Sequence, residues 1–294
     1  MIITKPSVYL RDERTKVIYY GIDGSVWHLS GFGMGREGAR LGVEPDRFYM
    51  PDMELLWLEG ARQDGAKYQD TVLSKREIDI EVQITGKTPA EFRERNDRWW
   101  RAWSTRIPGT LAVWTATAGW RWIRVRLAGN VDTKWGKDPA LIKACDYDMT
   151  MAADDPLWRS FKSKAHWQNT AGTGSGILQF KNWADHVAHP EYVMPGPGIY
   201  SIQDGPNGDL IELPRIEYGQ TLRLDTHPLR LILRMYDHTT GMDGRSFWRK
   251  MKQARRFRNP IEGWSTADIR VGVAGGGTES QIYGVLTPRH LRPF

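Results

Sequence analysis

The segment "DHVAHPE" places His186, His189 and Glu191 within six residues, the residue types that hold a zinc ion. Pro190 disfavours a helix through His189, and no H-E-x-x-H or carboxylate-rich loop supplies further ligands, so loop histidines are expected. Asp154 and Asp155 could share a proton as a general acid–base pair, yet adjacent residues on an extended chain point opposite ways, and a turn before Pro156 is the simpler reading. "ITGKT", from Ile84 to Thr88, sits between a strand pattern and a helix pattern as a phosphate loop would. Its spacing fails, because Glu81 stands where that motif needs glycine. Gly33, Gly35 and Gly38 match G-x-G-x-x-G but run into "ARLGVEP", which opens no helix, so a loop is expected. In "IEYGQTLRLDTHPLRL", Asp225 reads as a strand corner, its short side chain bonding nearby backbone. No G-x-S-x-G occurs, and the single cysteine, Cys145, lies in an alternating strand. The sequence therefore offers no catalytic, cofactor-binding or metal-binding constellation, and a non-enzymatic protein is expected.

Two compositional features point to binding. Of the net charge of +6, all is concentrated between Asp243 and Arg258, where seven basic residues meet one acid. With Phe247, Met251 and Ala254 at helical spacing, this segment predicts a helix over 244–258 with a narrow apolar stripe. Three roles stay open for it: a solvated face docked on a sheet, a contact with acidic groups of a neighbouring subunit, or a grip on nucleic-acid phosphates. The chain also has 14 tryptophans, which suit aromatic-rich sheets, flat or saccharide ligands, or large interfaces. Trp167, Trp183 and Trp264 are candidates for stacking on sugar rings if exposed.

Strand patterns must position these residues. "KREIDIEVQI" alternates Ile78, Ile80, Val82 and Ile84 against Asp79, Glu81 and Gln83. In "TPAEFRERNDRWWRAW", Thr88 with Glu91 forms a capping box, Pro89 suits a first helical turn, and Phe92, Trp99, Trp100 and Trp103 share one side. "TLAVWT" and "WRWIRVRLAG" predict a hairpin with a bulge at Trp122–Ile123, and "ACDYDMTM" predicts a further strand. "TAGTGSG", Thr170 to Gly176, is a linker or long loop, and beyond it "LIEL", "TLRL", "LRLILRMY", "IRVGV" and "QIYGVL" predict a sandwich or barrel. No apolar run approaches the roughly 18 residues of a membrane span, and charges in "MIITKPSVYLRDERTK" replace the apolar stretch of a signal peptide. At 294 residues about two domains are expected, 1–160 and 161–294.

The order of elements resembles a known family. "YYGIDGSVWHLSG", the strand "KREIDIEVQITG", the helix "AEFRERNDRWWRAW", the hairpin "GTLAVW" to "WIRVRLAG" and the strand ending in "MAADDPLWR" are similar to the N-terminal belt domain of distal tail proteins of siphophages. "GPGIYSIQDGPNGDLIELPRIEYGQTLRLDT" is similar to that family's C-terminal β-sandwich, while the basic segment has no counterpart in the common core. The resemblance implies a mainly β protein of two domains: a sandwich- or barrel-like belt domain with one helix, and a lectin-like sandwich, to which the basic segment would add another. It implies a tail-tip ring, commonly a hexamer, linking the tail tube and tape measure protein to the baseplate hub and host-recognition proteins, with DNA only in transit and no membrane insertion. Localisation in the virion, after synthesis in the host cytoplasm, follows from the same resemblance. Arg93, Arg95 and Arg101, left outside the helix's apolar stripe, become candidates for subunit contacts. A carbohydrate-binding tail module and a nucleic-acid-binding protein are the competing readings.

Overall fold

Alternating apolar residues produce strands along most of the chain, and antiparallel pairing gathers them into two units. A computed structural model describes residues 14–42, 45–60, 64–133, 136–230, 232–251 and 255–294. The first unit comprises Met1–Arg159 with His290–Phe294, and the second Ser160–Arg289. Among the described residues no helix is long and apolar enough to cross a membrane.

The first unit contains β1 (Lys16–Tyr20), β2 (Val26–Ser30), β3 (Ala39–Leu41), β4 (Met53–Glu59), β5 (Ala66–Leu73), β6 (Arg76–Thr85), α1 (Pro89–Arg101), β7 (Gly109–Thr115), β8 (Gly119–Thr133), α2 (Pro139–Ile142), β9 (Ala144–Ala153) and β10 (Trp158–Arg159). Its main sheet runs β2-β1-β7-β8-β9-β6-β3, and β3 returns beside β2, so the sheet nearly closes on itself. β6 and β9 pair in continuous register from Arg76↔Ala153 to Thr85↔Ala144, which points Ile78, Ile80, Val82, Ile84, Cys145, Tyr147, Met149 and Met151 into one core.

α1 starts where its sequence says. Thr88 Oγ1 accepts the Glu91 N–H at 3.1 Å, and the Glu91 carboxylate reaches back to the Lys87 N–H at 2.7 Å. The helix buries Phe92 and Trp99, and Trp103 follows just beyond its end. Trp99 meets Trp27 edge-on at 5.1 Å, and Trp103 stacks on Tyr19 at 3.9 Å, so the stripe engages the first hairpin as well as the isoleucine face.

The bulge expected at Trp122–Ile123 is absent: β7 and β8 stay in register from Gly109↔Val125 to Thr115↔Gly119. Arg121, Ile123 and Val125 all face inward, and the apparent slip came from an arginine occupying an apolar position. The irregularity falls later, between Ala128 and Asp132 against β9. Arg76 is another inward arginine. It is fully buried, its guanidinium donating to the carbonyls of Pro156 at 2.7 Å, Phe48 at 3.2 Å and Leu291 at 2.6 Å, and burial lowers its pKa to about 10.

The second unit contains β11 (Ser163–Gln168), β12 (Ser175–Asn182), β13 (Glu191–Pro195), β14 (Ile199–Gln203), β15 (Leu210–Glu212), β16 (Gln220–Asp225), β17 (Leu233–Asp237), β18 (Met242–Ser246), β19 (Ser265–Ala274) and β20 (Gln281–Leu286). One sheet runs β11-β20-β13-β16-β17-β18 and the other β12-β19-β14-β15, and residues of both enclose one core. The glycine-rich stretch 170–176 lies inside this unit as the loop from β11 to β12. Asn169 organises it by accepting the Gly174 N–H at 2.9 Å and donating to the Gly277 carbonyl at 3.2 Å. "LRLILRMY" becomes strand only from Leu233, and Leu229 sits in an exposed turn.

The helix expected over 244–258 is corrected. Residues up to Ser246 belong to β18, a single 3₁₀ turn covers Trp248–Lys250, and 255–260 have no regular structure; residues 252–254 lie outside the described residues. Two causes are visible. Gly244 has φ of +65°, which a right-handed helix does not admit. Helical spacing would also set Arg245 against Arg249 and Lys252 against Arg256, like charges four apart.

Candidate functional site

The residues with catalytic potential are consumed by structure. Asp154 pairs with Arg126 and Asp155 with Arg159 at 2.9 Å, so each carboxylate has its own cation. Asp225 is buried at the end of β16, where Oδ1 accepts the His227 N–H at 2.9 Å, and the neighbouring Thr226 hydroxyl donates to the Pro190 carbonyl at 2.8 Å. It is the corner its sequence implies. Glu191 accepts from Arg223 at 3.1 Å. His189 faces His227 with ring centroids 4.9 Å apart, and burial, reinforced by His227, pushes its pKa down to about 4. Gly33, Gly35 and Gly38 form a turn-rich loop with positive φ, closed by Glu37, whose carboxylate accepts the His28 N–H at 2.9 Å. These groups make turns and ladders.

The expected surface residues are placed unequally. Arg93 and Arg101 are exposed on α1. Arg95 is engaged within the unit, donating to the Thr85 carbonyl at 2.8 Å and pairing with Glu91 at 2.7 Å. Trp167 is half-buried against Gly176, where a Cβ would collide with its indole. Trp183 is 41% and Trp264 67% exposed. The basic segment presents Arg255, Arg256 and Arg258 around an open depression with Asn207 and Asp209. Asp204, at the same place, is occupied by the backbone N–H groups of Arg258 and Asn259 at 2.8 and 3.0 Å.

One apolar surface escaped the sequence reading. β4 and β5 form a two-stranded ribbon that, among the described residues, joins no other sheet. Every residue of β4, "MELLWLE", is exposed, with Trp57 at 52% and Leu58 at 61%, and Tyr68 and Val72 on β5 are exposed as well. The register slips between Leu56 and Trp57, and Trp57 meets Tyr68 edge-on at 5.6 Å. Consecutive leucines in "ELLWLE" place apolar side chains on both faces, whereas a half-buried strand alternates. That departure from period 2 was the available signal.

No family model matches the chain. Two proteins are similar over nearly its whole length. The minor tail protein Gp27 of Mycobacterium phage D29 is 22% identical over 331 aligned positions, covering 92% of this chain and 94% of that relative. Minor tail protein Gp27 of Mycobacterium phage L5 is 26% identical over 93% of this chain and 95% of its own length. Among solved structures, the Dit protein (gp 19.1) of phage SPP1 superimposes with a TM-score of 0.60 at 12% identity, covering 94% of this chain and 98% of that one. It is described as a paradigm of the hub adsorption apparatus of phages that infect Gram-positive bacteria. A chain of the phage P2 baseplate in its activated conformation matches with a TM-score of 0.54 at 9% identity, covering 94% and 98%. The resemblance to distal tail proteins is borne out: the chain has the Dit fold across both units, and the relatives it matches end to end are minor tail proteins of mycobacteriophages.

Proposed function

We propose that the protein is a structural component of the phage tail tip and virion, without catalytic activity, that forms a closed ring, a hexamer, with copies of itself. The ring joins the distal end of the tail tube to the baseplate hub and host-recognition proteins, with the tape measure protein and DNA passing through it. The observation that carries this reading is the β4–β5 ribbon. Two strands alone are marginally stable in water, and this pair displays Leu55, Leu56, Trp57, Leu58 and Tyr68 with no core beneath them among the described residues. A second protein surface is the partner that removes such side chains from water. Repeated head to tail, one ribbon per copy gives the heterologous contact a ring needs. Exposed Arg93 and Arg101 on α1 are candidates for the polar rim of that contact. The tail-protein similarity and the Dit fold support the same assignment.

Light scattering across a concentration series tests it. Wild type is expected to assemble, alone or when purified tail tube is added. Leu56→Asp with Leu58→Asp is expected to stay monomeric, with the melting of both units unchanged because neither side chain belongs to a core. Assembly by the double variant as readily as by wild type would remove the ribbon from the interface.

A further inference from the structure

One step beyond the last pair of the β12–β19 ladder, Asn182↔Ser265, the two opposing positions are held by Trp183 and Trp264. The ladder does not continue through them. Trp264 adopts φ of +55°, a left-handed conformation that a bulky L residue rarely takes, and its N–H donates to the Ala184 carbonyl at 2.9 Å. Beneath the two strand ends, the Asn182 side chain is 1% exposed, its Nδ2 donating to the carbonyls of His186, Ile261 and Glu262 at 3.0–3.1 Å. Trp183 is oriented by its indole N–H on Ser160 Oγ at 3.4 Å. The polar frame thus leaves two exposed tryptophans at adjoining strand ends, one of them on strained backbone, and the core of the unit includes neither.

We propose that this pair is a saccharide-binding site. Two facts select that ligand. The rings leave roughly 160–270 Å² uncovered, taking about 150–250 Å² per aromatic side chain and their exposures of 41% and 67%. That is well below the roughly 800 Å² per side of a stable protein contact and comparable to one or two sugar rings. The residues flanking them in the chain, Asp185, Glu262, Gly263 and Ser265, are polar or small, and among the described residues the exposed Glu262 carboxylate has no ion-pair or hydrogen-bond partner. Indole faces bind the C–H faces of a pyranose, and a free carboxylate accepts its hydroxyls. The site would let the second unit touch a glycan surface whether or not the chain assembles into a ring.

The test is an array of neutral and acidic oligosaccharides, with titration of any hit by intrinsic fluorescence and calorimetry, against Trp183→Ala, Trp264→Gly and Glu262→Gln. Each variant is expected to weaken binding about tenfold or more, about 1.4 kcal/mol per tenfold. Trp264→Gly is expected to keep or raise Tm, since glycine accepts the left-handed backbone without strain. A Tm that falls with Trp264→Gly would make the residue structural and overturn the assignment. An array that retains no wild-type protein, or variants that lose binding only to another tail protein, would overturn it as well.

Discussion

Trp99 has no solvent exposure and stands edge-on to Trp27 and Tyr19, so truncation empties the centre of the first core. Trp99→Ala is expected to cost about 3–5 kcal/mol, enough to unfold or gravely weaken a domain of ordinary stability, as thermal melting will show. Arg95→Ala is expected to cost about 1 kcal/mol through the lost Thr85 carbonyl bond, more than Arg93→Ala, whose side chain is exposed. His189 gives the molecule a pH dependence. Its folded pKa of about 4 lies below the ordinary 6.5, so the unfolded chain binds the extra proton first as pH falls. The stability this group contributes is complete above about pH 6.5 and drains away toward pH 4, by at most about 3 kcal/mol. His227, Asp225, Arg230 and Arg289 surround it, and His189→Gln should flatten that part of a urea-stability profile taken from pH 7 to 4. Single residues were readable where their partners are local. Asp225 announced a corner because its bond goes two residues on, whereas Arg76 gave no sign of burial because its acceptors, Phe48, Pro156 and Leu291, are distant in sequence.

At the scale of elements the same distinction decides what could be read. α1 is specified by its own first turn, and Thr88→Ala should destabilise the first unit by about 1 kcal/mol, measured as a shift in denaturant midpoint with unchanged slope. The alternation in β6 and β9 fixed both strands and their inward faces before any pairing was known. The basic segment misled because its apolar spacing is helical while its conformation is set by pairing with β17 and by the left-handed Gly244. The β4–β5 ribbon was missed for a different reason: patterning reports a core, and these exposed strands have none among the described residues. Of the six candidate surface residues, Arg93, Arg101, Trp183 and Trp264 are exposed, but only the structure shows that Trp183 and Trp264 each follow directly on the last pair of the β12–β19 ladder, Asn182↔Ser265.

At the scale of the whole molecule, the chain enters the second unit at Ser160 and leaves it at Arg289, and His290–Phe294 rejoin the first. Ser160 donates to the Pro288 carbonyl at 3.4 Å, so entry and exit are neighbours. A shortened chain joining Arg159 directly to His290 is expected to fold with the first core and the β4–β5 ribbon intact. Circular dichroism and light scattering check this, and loss of cooperative melting would show that the two units depend on each other. The Leu291 carbonyl matters here, since removing the terminal segment instead would strip Arg76 of an acceptor and leave a buried charge short of partners. Genetically, an insertion bounded by two adjacent crossover points is a cassette. Recombination there would exchange the whole second unit in one event, while the first is inherited untouched.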